Sequence, residues 1–93
     1  ELVTFELGDG AAAGFQPEEY DAGLCLGASF VFGSLADTIE ALAPAVRPGG
    51  HVVVGEPYWK TLALPDDYAE RHEPWTTLEG TVTIFETSGL PIV

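Results

Sequence analysis

Basic residues are scarce in this chain: three Lys and Arg stand against fifteen Asp and Glu, a formal net charge of −12 over 93 residues. A surface so charged repels phosphate backbones and anionic headgroups, which argues against direct binding to nucleic acid or to an acidic membrane. Long hydrophobic runs are lacking too. No segment reads as a membrane span, and Glu1 opens no basic, signal-like stretch. Cysteine is reduced to Cys25, which has no partner for an internal disulfide. Between Leu24 and Leu26 it reads as a buried structural thiol in a reducing, cytoplasmic setting. With only two histidines beside it, no cluster has metal-ligand spacing, and no metal is expected. Serine-nucleophile patterns, repeats, linkers and low-complexity tracts are also absent. The acidity selects no substrate and reads first as a solubility feature.

What is present is an apolar content of 46%, ordinary for a folded chain, arranged in an informative order. Residues 2–7 alternate apolar and polar side chains and predict a strand, closed by Gly8-Asp9-Gly10. Pro17-Glu18-Glu19 predicts a short helical turn. Tyr20-Asp21 leads into the apolar run 22–26, suited to a strand buried on both faces. Gly27-Ala28-Ser29 follows, where small residues let a ligand approach the backbone.

Ser34, with Asp37 three residues on, predicts a capped helix start. Leu35, Ile39, Leu42 and Val46 recur at helical spacing, Pro44 weakens the last turn, and Arg47-Pro48-Gly49-Gly50 ends it. The β-branched run 51–55 is the next strand. A short helix is expected over 66–71. Thr76 and Glu79 then predict another capped helix, with Leu78, Val82 and Phe85 on one face and Gly89 as its stop. The β-branched residues 81–84 favour a strand there instead; the punctuation at both ends favours the helix. Residues 90–93 look like the start of a further strand.

Strand, helix and strand in this order predict a parallel crossover, which delivers the loops after both strands to one sheet edge. In open α/β sheets that carboxyl edge is where ligands bind.

Three pieces resemble the second half of a class I S-adenosylmethionine-dependent methyltransferase. Gly8-Asp9-Gly10 looks like the acidic turn after that family's third strand. Tyr20-Asp21-Ala22 through Ser29 looks like its aspartate-led fourth strand, and Pro48-Gly49-Gly50 before 51–56 like the turn into its fifth. The stretch Gly55-Glu56-Pro57-Tyr58-Trp59 is similar to small-molecule members of the family. The resemblance implies an α/β fold: a partial Rossmann-like parallel sheet with flanking helices. The chain would be one incomplete domain running from the third strand to the start of the sixth. The family's glycine-rich first loop and the acidic end of its second strand find no room upstream of Leu2. Residues 5–10, with Gly14 beyond, offer an alternative glycine-rich loop. Only residues 11–20 then remain for the helix it should open, and Pro17 interrupts them.

The resemblance further implies S-adenosylmethionine as cofactor, with Asp9 and Gly10 beside its adenine and Leu26, Gly27 and Ala28 flanking it. Asp9 reads equally as a turn former, and the other three as close strand–helix packing. Glu56, Tyr58 and Trp59 would line the substrate side, with aromatic rings suited to a sulfonium cation. No catalytic residue is assigned, because methyl transfer is chiefly a matter of positioning. His51 reads as structural and His72 as a solvated surface residue. The complete domain would act on a small molecule, whereas the chain alone would be inactive. The alternative is a non-catalytic methyltransferase-like module acting through association with itself or with a partner, such as the remainder of a domain.

Overall fold

The structure is a computed structural model that describes residues 2–60 and 75–93. The expected helix at 66–71 and the surface role of His72 lie outside the described residues. The elements are strand β1 (Tyr20–Leu26), helix α1 (Leu35–Leu42), strand β2 (Val46–Gly55) and helix α2 (Leu78–Thr87). β1 and β2 pair in parallel with α1 as the crossover, so the protein is α/β with a two-stranded sheet. Among the described residues no helix is long and apolar enough to cross a membrane.

α1 starts where its punctuation placed it. Ser34 is extended (φ −152°), and its Oγ accepts from the Asp37 N–H at 3.1 Å and donates to Asp37 Oδ2 at 2.9 Å. The Asp37 carboxylate also sits in the first turn, where the helix dipole favours negative charge. Thr38 is wholly buried, and its Oγ1 donates to the Ser34 carbonyl at 2.7 Å and to the Ser29 carbonyl at 3.4 Å. That second bond ties the helix to the turn after β1. Pro44 narrows the end of the helix into a 3₁₀ turn, Ala43–Ala45. Leu35, Ile39 and Leu42 form the buried stripe, and with Ala45 and Cys25 they make the core. Val46, the expected fourth member of that stripe, instead opens β2.

β2 also begins five residues earlier than the sequence suggests. Tyr20 faces Val46 and Ala22 faces His51, so β1 advances two residues while β2 advances five. The extra residues form a bulged entrance rather than a free turn. Gly50 is required there, because a Cβ would run into the Asp21 carbonyl and the Val46 side chain. Arg47 fastens the entrance, donating to the Glu19 carbonyl at 2.6 Å and pairing with Asp21 Oδ1 at 3.2 Å.

Burial on both faces of β1 is not what the structure gives. Successive strand side chains point to opposite faces. Cys25 lies on the side covered by α1, while Leu24, Leu26 and Val53 on the other side are exposed. Residues 2–7 and 90–93 form no strand, and their apolar side chains, Phe5 and Ile92 among them, are exposed. A strand needs hydrogen bonds from a neighbour, and neither segment has one here. The Pro17-Glu18-Glu19 stretch is a tight turn, not a helical one. Glu18 has φ 53°, and its N–H donates to the Pro44 carbonyl at 2.9 Å.

α2 is a helix despite its β-branched run. The Thr81, Thr83 and Thr87 hydroxyls donate to carbonyls four residues back at 2.9, 2.9 and 3.0 Å, so these side chains bond to the helix that holds them. Its cap is Thr77 rather than Thr76, with Oγ1 accepting from the Gly80 N–H at 3.1 Å. Gly89 (φ 82°) follows the C-cap as expected. The inward face differs from the predicted one. Thr81 is buried and Ile84 and Phe85 are half-buried, whereas Leu78 and Val82 are exposed. Helix α2 packs on α1.

Candidate functional site

The carboxyl edge of the sheet gathers most of the chemistry-bearing residues. β1 and β2 run parallel in register to their last pair, Leu26 with Gly55, and the Gly27 N–H donates to the Gly55 carbonyl at 2.9 Å. Both chains therefore leave the sheet side by side. Gly27 turns out of the ladder with φ 66°, and nothing lies within 4 Å of where a Cβ would stand. Its backbone borders open space, which a side chain in this conformation would block at a strain cost. Ala28 follows, half-buried, and a 3₁₀ turn, Ser29–Val31, leads to the cap of α1.

The turn around Asp9 reaches the same end of the molecule. Gly10 stands so close to Val31 that a Cβ would sit 3.0 Å from Val31 Cγ1. Asp9 is exposed and caps the 3₁₀ turn Gly10–Ala12, its Oδ1 accepting from the Ala11 N–H at 3.0 Å. The structure thus brings Asp9 and Gly10 together with the segment after Leu26, Gly27 and Ala28. The Leu26 side chain projects from the bare face of the sheet and is exposed.

On the β2 side, Glu56 follows the strand directly. It lines a cavity of about 80 Å³ with Ser29, Ser34, Trp75, Thr76 and Thr81, so the two strand exits and the cap of α1 share one small space. The buried Glu56 Oε2 has no hydrogen-bond partner. Trp59 is held by its backbone: its N–H donates to the Thr76 carbonyl at 2.8 Å, and its ring meets that of Trp75 at 5.4 Å, tilted by 55°. Tyr58 points outward and is exposed. Glu56 and Trp59 are therefore joined through Trp75, while Tyr58 stands apart from the cavity lining.

Sequence reasoning missed Trp75 and Thr81. For Trp75 the only signal was an aromatic residue just before a helix cap. For Thr81 the β-branched run hid an inward-facing hydroxyl. His51 pairs with Ala22 toward the opposite end of β2 and lines a larger, mostly apolar groove of about 880 Å³ with Ile39, Pro44, Val52, Phe85 and Ile92. That groove holds few polar side chains and lies away from the strand exits, so volume alone does not mark the functional edge. Among the described residues no group of three or more His, Cys, Asp or Glu is placed to hold a metal ion.

No family model matches the chain. Solved structures do. A SAM-dependent methyltransferase from Geobacter sulfurreducens, in complex with S-adenosyl-L-homocysteine, superposes with a TM-score of 0.80 at 32% identity, covering 97% of this chain and 38% of that one. A SAM-dependent methyltransferase from Thiobacillus denitrificans, in complex with the same molecule, gives 0.74 at 32% identity, over 92% and 36% of the two chains. The uncharacterised protein YjhP of Escherichia coli K12 is 34% identical over 88 residues, 88% of this chain and 36% of its own length. The chain spans little more than a third of the length of each of these proteins. Its fold is that of part of a SAM-dependent methyltransferase.

Proposed function

We propose that this chain supplies two walls of an S-adenosylmethionine-dependent methyltransferase site whose acceptor is a small molecule. The observation that carries the reading is the meeting of three loops at one sheet edge: the Asp9–Gly10 turn against Val31, the open backbone of Gly27, and Glu56 at the exit of β2. The residues suit the cofactor. An acceptor-only carboxylate at Asp9 matches the exocyclic amine of adenine. Gly27, with open space where a Cβ would be, lets the ligand lie against the chain. The bound cofactor would supply a methyl group made electrophilic by its sulfonium.

The chain's own residues then have positional tasks. Asp9 and Gly10 hold the adenine end, Leu26 to Ala28 form the floor, and Glu56, with Trp59 behind Trp75, faces the acceptor. Alignment and exclusion of water supply much of the acceleration in such a transfer, so no proton-transfer residue is assigned. The net charge of −12 supports a small-molecule acceptor over a nucleic acid. The buried free thiol of Cys25 supports a reducing compartment.

Because the chain supplies only part of the site, the assignment is tested on a complete methyltransferase domain that carries this chain. S-adenosylhomocysteine is titrated calorimetrically into that domain and into its Asp9→Ala variant; the isolated chain should bind weakly or not at all. Removing the carboxylate should weaken binding by about 1–3 kcal/mol, as expected when a hydrogen-bond partner is lost. Undiminished binding by the variant would remove Asp9 from the adenine side. A second reading, a non-catalytic module working through association, draws on the bare sheet face at Leu24, Leu26 and Val53. A complete domain that binds no cofactor, together with a chain that assembles through that face, would favour it.

A further inference from the structure

We propose that the acceptor recognised at this edge carries a protonated amine, whose N–H donates to Glu56 Oε2 in the small cavity beside Trp75. The inference rests on the methyltransferase reading above and names the chemical class of its acceptor. A buried carboxyl oxygen without a partner is costly, and native structures leave few of them. Glu56 Oε2 is such an atom among the described residues.

Two hydroxyls of the cavity lining are engaged elsewhere. The Ser34 hydroxyl donates to Asp37 Oδ2, and the Thr81 hydroxyl donates to the Thr77 carbonyl. Among the described residues no Lys or Arg lines the cavity. The amino end of α1 forms part of the wall, but its first turn is already answered by Asp37. Among the described residues none donates to Glu56 Oε2, which leaves that oxygen open to a ligand or to water.

Three features select a cationic donor. The space, about 80 Å³, is small and suits an ammonium head with a short alkyl stem. Trp75 lines it, with the Trp59 ring tilted against Trp75, so an aromatic side chain lies beside the position of the charge. The field of a chain with net charge −12 concentrates cations at its surface and excludes anions. A carboxylate, an aromatic wall and a negative field together favour an amine over an alcohol of the same shape.

The test is a pair of calorimetric titrations, with n-butylammonium and with its neutral counterpart n-butanol, on a complete methyltransferase domain that carries this chain, saturated with S-adenosylhomocysteine. Butylammonium should bind at least tenfold more tightly than butanol. Glu56→Gln should cut its affinity at least tenfold while leaving that for S-adenosylhomocysteine within twofold. Glu56→Asp, which keeps the charge but draws it back from the cavity, should also lose affinity and serves if the glutamine variant does not fold. Equal binding of amine and alcohol, or amine affinity untouched by either substitution, overturns the inference and leaves water as the partner of Glu56. Failure of the complete domain to bind S-adenosylhomocysteine at all would instead overturn the methyltransferase reading.

Discussion

The stretch from Tyr20 to Gly55 and the two flanks, residues 2–7 and 90–93, carry apolar patterns of the same kind, yet they end in opposite states. In the first, two strands pair and a helix closes over one face of them. In the flanks the same sort of pattern leaves Leu2, Phe5, Leu7 and Val93 facing solvent. The difference lies in where each element finds its hydrogen bonds. A helix satisfies its backbone from within, so α1 and α2 need only their caps. A strand satisfies nothing alone, and an alternating pattern states one half of a pairing. The crossover supplies both halves for β1 and β2, and among the described residues neither flank has a second half.

The largest expected effect breaks the folded region where its core is thinnest. Leu42→Ala should destabilise the chain by about 2–5 kcal/mol, the usual cost of emptying a buried leucine site. Phe5→Ala in the exposed flank should change stability by less than about 0.5 kcal/mol. Urea melts of the two variants make the contrast directly. Equal losses would mean that residues 2–7 are packed in solution and that the two regions do not differ as described.

A smaller effect sharpens the account of how β2 enters the sheet. Gly50→Ala places a methyl against the Asp21 carbonyl and the Val46 side chain, and should cost about 1–3 kcal/mol of overpacking. Gly8→Ala, whose added methyl meets nothing within 4 Å, is the matched control and should leave the melt near wild type. The smallest change is Ser34→Ala, worth about 1 kcal/mol for the lost cap, read as a lowered melting temperature by circular dichroism. A cap that cost nothing would show α1 to be held by Thr38 and its burial alone.

Local punctuation was legible in the sequence. The Ser34 cap, the Pro44 break, the Gly89 stop and the strand–helix–strand order could all be read, because each depends on a few neighbouring residues. The bulged start of β2 was not, since Arg47 to Gly50 look like a turn until Asp21 and Glu19 are seen across the sheet. The inward face of α2 was misjudged for a related reason: Leu78 and Val82 are the more apolar residues, but α1 meets the helix on the side of Thr81 and Ile84. At the site, Asp9, Gly27 and Glu56 stood out as residues at the ends of strands or in tight turns. The cavity that Glu56 shares with Trp75 and Thr81 joins parts of the chain nearly twenty residues apart and more, a proximity set by packing rather than by local pattern.

Cys25 has a use that its chemistry alone would not suggest. Its thiol lies in the second-last position of β1, opposite Val54, under the layer formed by α1 and only 8% exposed. An alkylating reagent can reach it only when that layer lifts from the sheet. As the chain's single cysteine, it reacts without a competing site, so the labelling rate in native buffer times one specific opening. Ligands that grip the strand exits should slow this clock in proportion to how firmly they hold the two layers together. The protein thus carries its own gauge of occupancy, readable by mass and requiring no engineered probe.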